Sequence, residues 1–103
     1  MIKSSLEFHQ KDIASFYKLV GCNVKRLRNL HEASQLEVSF AMGHKSVSLL
    51  SMAELCLDKK RFNLEHLYKL AQIFDCDICE FFKPIEATQS TDIDTAPASN
   101  QQN

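Results

Sequence analysis

The sequence predicts an all-α fold, and three observations carry that prediction. Only 2 Gly and 2 Pro occur in 103 residues, too few for the turns of a sandwich or barrel. Apolar residues recur at three- and four-residue spacing, the period of a helix face, with no period-2 alternation of useful length. Ser, Asn and Asp stand in front of several of these stretches, where a helix start needs a side-chain acceptor for its free N–H groups.

Taken in order, Ile13, Phe16, Tyr17, Val20, Val24, Leu27 and Leu30 form one helical stripe, with Asp12 as the expected N-cap and Gly21 as an interruption. Ser34 with Glu37 makes a capping box for a second helix, whose Val38, Ala41 and Met42 form an apolar stripe ended by Gly43. After His44 and Lys45, a third helix is expected over Ser46 to Leu55, with Leu49, Met52 and either Leu50 or Ala53 facing inward. The run Asp58-Lys59-Lys60-Arg61-Phe62 reads as a loop. Asn63 caps a fourth helix with Leu64, Leu67, Leu70, Ala71 and Phe74 on one face. Asp77 and Glu80 read as a further capping box for a short fifth helix through Ile78, Phe81 and Phe82, which Pro84 ends.

At 45% hydrophobic and 24% charged, the chain suits one small domain. Three segments are expected: a helical extension over 1–21, the main domain over 22–83, and a tail over 84–103. The tail lacks Lys, Arg and aromatics and is expected to be disordered, because it cannot bury enough apolar surface to offset its ordering entropy. No apolar run approaches the ~18 residues of a membrane span. Met1-Ile2-Lys3-Ser4-Ser5 leads into polar residues rather than an apolar signal segment, so the four cysteines are expected to stay reduced in a cytoplasm. The net charge of -1 hides an asymmetry: residues 1–62 hold ten Lys/Arg against six Asp/Glu, residues 63–103 two against seven. A basic front half suits a polar partner.

Two short helices around a glycine turn are the outline of a helix-turn-helix. Asn23-Val24-Lys25-Arg26-Leu27-Arg28, Ser34-Gln35-Leu36-Glu37-Val38 and Met42-Gly43 resemble the Xre/Cro, lambda-repressor-like DNA-binding domains. So do Asn63-Leu64-Glu65-His66-Leu67-Tyr68-Lys69-Leu70-Ala71 and Asp77-Ile78-Cys79-Glu80-Phe81-Phe82, and the resemblance covers about residues 22–82. It implies a five-helix lambda-repressor-like fold and a transcriptional regulator that binds duplex DNA as a homodimer, with the third helix in the major groove. An ungapped match from Gly43 turns Lys45, Ser46, Val47, Ser48 and Ser51 toward the bases. Gln35, at the start of the second helix, then fixes a phosphate, with Lys25, Arg28, Lys59, Lys60 and Arg61 as further phosphate contacts. For dimerisation it leaves two sets, Ile78, Phe81 and Phe82, or Phe8, Phe16 and Tyr17.

The chain also departs from that pattern. The reading helix carries no Arg, Asn or Gln on its first turns, the side chains that make bidentate base contacts. The family's Glu, paired with the arginine matched by Arg28, belongs where Ala53 stands; Glu54 follows one residue late, so either the helix is shifted or Glu54 substitutes imperfectly. The loop from Leu55 to Phe62 is about three residues longer than the family's. A helix-turn-helix reused as a protein-interaction module, or as an antitoxin-type partner, is the alternative, and exposed Phe40 would suit it.

Plainer readings stand beside these. Lys59-Lys60-Arg61 also reads as a solvated loop, Lys25, Arg26 and Arg28 as a polar helix face, Arg28 as half of an ion pair with Glu54, and the three serines as tolerated surface. His44 is as readily a packing or solvent residue as a phosphate contact. Cys76-Asp77-Ile78-Cys79 has the spacing of a metal or redox pair. It lacks a second pair at metal spacing and any strand before it, so the thiols read as small hydrophobes and neither metal nor cofactor is expected. No nucleophile–base set, phosphate loop or paired-carboxylate pocket is present, and the chain does not read as an enzyme.

Overall fold

The computed structural model describes residues 1–85, so the predicted tail over 84–103 lies almost wholly outside the described residues. Four α-helices and two short 3-10 turns make up the described chain, which contains no strand. The helices are α1 (Gln10–Leu30), α2 (Gln35–Ala41), α3 (Ser48–Leu55) and α4 (Leu64–Ile73), with 3-10 turns over Leu57–Lys59 and Ile78–Phe82. Among the described residues, no helix is long and apolar enough to cross a membrane.

α1 starts earlier than expected, with His9 rather than Asp12 at its N-cap and no side-chain cap bond. It runs unbroken through Gly21, so the expected boundary at 21/22 falls inside a helix, and residues 1–9 are not helical. Gly21 is needed because α3 crosses here. A Cβ on it would lie 2.6 Å from the Glu54 carbonyl oxygen and 2.8 Å from that of Ala53. The stripe is longer than the core it serves: Val20, Val24 and Leu27 are buried, whereas Ile13, Phe16 and Leu30 stay exposed.

The core joins Val20, Val24 and Leu27 to Val38 and Met42 of the second element, Leu50 and Ala53 of α3, and Leu67, Leu70 and Phe74 of α4 with its cap. On α2 the buried partner of Val38 is Ser39, and Ala41 is exposed. On α4, Leu64 points to solvent. The fifth predicted helix is instead the 3-10 turn at Ile78–Phe82. Asp77 accepts from the Cys79 N–H at 2.9 Å, but Glu80 does not close a capping box. Its carboxylate faces Lys83 at 2.6 Å and Arg26 at 3.9 Å. Five residues before a proline leave no room for i→i−4 bonding to propagate. Phe81 of this turn is wholly buried and belongs to the core, not to a dimer surface.

Three helix ends share one closure. After α2, Gly43 at φ 92° lets the Gly43 N–H reach the Phe40 carbonyl and the His44 N–H reach the Ser39 carbonyl, both at 2.9 Å. This is a Schellman motif. α1 and α4 close the same way through Glu32 (φ 55°) and Asp75 (φ 51°), which hold left-handed conformations without being glycine.

Candidate functional site

α2, the glycine turn and α3 form one unit, held from behind by a buried ion pair. Arg28 of α1 donates from Nε to Glu54 Oε2 at 2.7 Å and from Nη2 to Glu54 Oε1 at 3.0 Å. Its Nη1 donates to the Ala33 carbonyl at 3.0 Å, which ties down the segment leading into α2. Gln35, the first residue of α2, donates from Nε2 to the same Glu54 Oε1 at 3.1 Å. One carboxylate on α3 therefore fixes α1 and the start of α2 together. Arg28 is 8% exposed and Glu54 2%, so the pair is shielded from solvent.

This geometry corrects one phosphate-contact expectation. The guanidinium of Arg28 is committed to Glu54 and Ala33 and is not turned outward, whereas Gln35 gives one amide N–H to Glu54 and stays half-exposed at the start of α2. Glu54 is reached because α3 is offset by one residue from the ungapped match. Leu50 and Ala53 are buried, while Leu49 and Met52 are only partly so. The turn takes up two more residues than expected, and α3 begins at Ser48 instead of Ser46.

Lys45, Ser46 and Val47 consequently belong to the turn, and only Ser48 and Ser51 of the expected base contacts stand on α3. Val47 occupies the N-cap position without capping, and the Ser46 hydroxyl accepts from the Ser48 N–H at 3.3 Å. Lys45, Ser46 and Ser48 are exposed, Val47 and Ser51 half-exposed. The outer face also carries Met52 and the exposed Leu55, which the ungapped match did not assign to it. The offset position of Glu54 was the signal that could have found them.

The turn is braced from α4. Lys69 Nζ lies 3.4 Å from the Met42 carbonyl at the C-terminal end of α2, where a cation is favoured. His44 sits edge-on to His66 at 5.8 Å. His66 closes the capping box of α4: its Nδ1 accepts from the Asn63 N–H at 3.0 Å, and Asn63 Oδ1 accepts from the His66 N–H at 2.8 Å. Partial burial, followed by the neighbouring His44, holds His66 below its ordinary pKa.

The basic residues divide. Lys59 and Lys60 are exposed in the turn after α3, and Lys45 stands before it, so cations flank both ends of a helix ~12 Å long. The turn is bent sharply enough that Cys56, Asp58 and Lys59 all take positive φ, 55°, 51° and 61°. Arg61 turns back instead, its guanidinium carbon 4.6 Å from the centre of the Tyr17 ring. Lys25 is half-exposed on α1.

Cys76 and Cys79 are free thiols, the first packed partly against the core and the second exposed. Burial raises the Cys76 thiol, and the hydrogen bond with Asp77 raises that of Cys79. Both shifts oppose the thiolate that metal binding or disulfide exchange needs. No group of three or more His, Cys, Asp or Glu placed to hold a metal occurs among the described residues. No family model, curated protein or solved structure matches the chain.

Proposed function

We propose that the chain is a duplex-DNA-binding transcriptional regulator of the Xre/Cro helix-turn-helix type, acting as a homodimer. The observation that carries this reading is the Arg28–Glu54–Gln35 network. Its buried ion pair anchors α3 to α1, and its Gln35 hydrogen bond couples α2 to α3, while the leading end of α3 stays open. A rigid support behind a polar, exposed helix start is what insertion into a major groove requires. Lys45, Lys59 and Lys60 are the backbone contacts at the two ends of α3, with Lys25 a further cation on α1. Ser46, Val47, Ser48 and Ser51 meet the base edges. Serine donates to or accepts from several bases, so discrimination is modest and leans on DNA shape.

The deciding experiment is binding to random and promoter-region duplexes across a salt series. Wild type is expected to bind at ~50 mM salt and weaken steeply as salt rises, through counterion release. Replacing Lys45, Lys59 and Lys60 with Ala should lower the salt slope by about 3, one per phosphate contact. Ser48→Glu should abolish binding while leaving the fold intact. Binding that ignores Ser48→Glu would mean that another surface meets DNA.

A second reading, a protein-interaction module, draws on the outward-facing Leu36, Phe40 and Leu55, an apolar set on the same two helices. It gains the advantage if wild type fails to bind any duplex at ~50 mM salt, a condition that favours non-specific contacts.

A further inference from the structure

Away from α2 and α3, the N-terminal half of α1 meets α4 and the Ile78–Phe82 turn at an open apolar groove of about 300 Å³. Phe16, Tyr17 and Val20 form one wall, Leu64 and Leu67 another, and Phe82 the end. Phe16 stacks on Phe82 with ring centres 6.1 Å apart, yet remains 51% exposed, and Leu64 is 75% exposed. Arg61 lies over Tyr17 at the same wall. Its Nε is buried without a hydrogen-bond partner, and its guanidinium has no carboxylate partner among the described residues.

The same molecule carries an unpacked apolar segment. Residues 1–9 form no helix or strand, and Ile2, Leu6 and Phe8 all face solvent, Phe8 at 79% exposure. Glu7, next to Phe8, has no ion-pair partner among the described residues.

We propose that this groove receives the N-terminal arm of a second copy of the chain, with Phe8 seated between Phe16, Leu64 and Phe82 and Glu7 paired with Arg61. Two features favour this occupant. The charges complement each other: the arm brings a carboxylate beside its aromatic anchor, and the groove offers an arginine that has no carboxylate partner among the described residues, beside an aromatic wall. The chain's own Phe8 leaves the groove open: it is 79% exposed and takes no part in the lining. Reciprocal exchange across a two-fold axis fills both grooves with one contact used twice, the closed arrangement that limits assembly to a dimer. It also leaves the outer face of α3 uncovered in each copy. This inference specifies the homodimer of the preceding reading and is measured without DNA, so the two fail separately.

Sedimentation velocity on the full chain from ~1 to ~100 μM tests it. Wild type is expected to dimerise within that range. Phe8→Asp, at an exposed position, should raise the dimer dissociation constant at least tenfold (~1.4 kcal/mol) without changing the far-ultraviolet circular dichroism. Glu7→Arg and Arg61→Glu should each weaken the dimer, and the double charge swap should restore it. A photo-reactive phenylalanine analogue at position 8 should crosslink to α1 or α4 of another copy. The proposal is overturned by a monomer at ~100 μM, by a dimer indifferent to Phe8→Asp, by a charge swap that fails to rescue, or by crosslinks confined to one chain.

Discussion

Glu54 concentrates more structural consequence than any other single residue. Its carboxylate accepts from Arg28 twice and from Gln35 once, inside a nearly solvent-free space. Removing one partner of such a pair strands the other charge, at a cost of about 3–5 kcal/mol, whereas replacing both with apolar residues of similar size is often neutral or better. Glu54→Gln is therefore expected to lower the urea midpoint severely, and the pair Arg28→Met with Glu54→Leu to restore most of it. If the proposed DNA binding is not restored along with stability, the pair is there to orient α2 and α3. Gly21 is the second such position, because its missing Cβ is what lets α3 cross α1. Gly21→Ala puts a methyl against two backbone carbonyls that cannot swing aside, so a loss of about 2 kcal/mol or more is expected despite alanine's better helix propensity. A midpoint equal to wild type would refute that account of the crossing.

At the scale of the element, the helix ends decide more than the helix interiors. α4 depends on a capping box whose acceptor is an imidazole nitrogen, and the bond exists only while His66 Nδ1 is unprotonated. Burial, with His44 beside it, depresses the folded-state pKa of His66 below the unfolded value of about 6.5. Its contribution is thus complete above about pH 6.5 and is lost as pH falls through the folded value. Midpoints measured from pH 5 to 8 should decline toward acid more in wild type than in His66→Gln, whose carbonyl keeps an acceptor at the same place. Equal slopes would remove His66 as the cause. The Schellman ends carry a second prediction. Asp75 and Glu32 sit at left-handed φ, where glycine avoids the side-chain clash of an L residue. Asp75→Gly is expected to raise stability by about 0.5–1 kcal/mol, read as an upward shift in the thermal midpoint.

The whole molecule is fastened by Asn23, a fully buried polar side chain on α1. Its Nδ2 donates to the Phe81 carbonyl at 3.0 Å and the Lys83 carbonyl at 2.9 Å, and its Oδ1 accepts from Arg26 Nε at 3.3 Å. The last described turn is thereby buckled onto the first helix, sixty residues away in sequence, and Phe81 is pressed into the core between them. Asn23→Ala orphans the buried Phe81 carbonyl, at about 1–3 kcal/mol, and takes a donor from the part-buried Lys83 carbonyl. Loss of amide protection confined first to residues 78–83 in hydrogen exchange would identify this buckle as a separable unit. Global loss of protection would make it part of the main cooperative core. The groove beside Phe82 depends on the same fastening, so Asn23→Ala should also weaken the proposed dimer.

The helices themselves were legible in the residues: the Ser34–Glu37 box, the Asn63 cap, the Gly43 stop and the three–four spacing along α1 are local signals, each read from neighbours a few positions apart. The all-α fold follows from them. So does the existence of a basic turn after α3, because charge and spacing need no third dimension. What only the tertiary structure decided is every choice that depends on a partner distant in sequence. The register of α3 is one: Leu49 with Met52 and Leu50 with Ala53 are equivalent stripes until the Glu54 carboxylate must reach Arg28. Gly21 is another, a helix breaker by propensity that α1 tolerates because α3 lies against it. The assignment of Arg28, Gln35 and Arg61 is the third. Along the chain they are free donors, and only folding brings them to a carboxylate or an aromatic ring. Periodicity is set by the geometry of one backbone, but the use of a polar side chain is set by whichever surface the core packs against it.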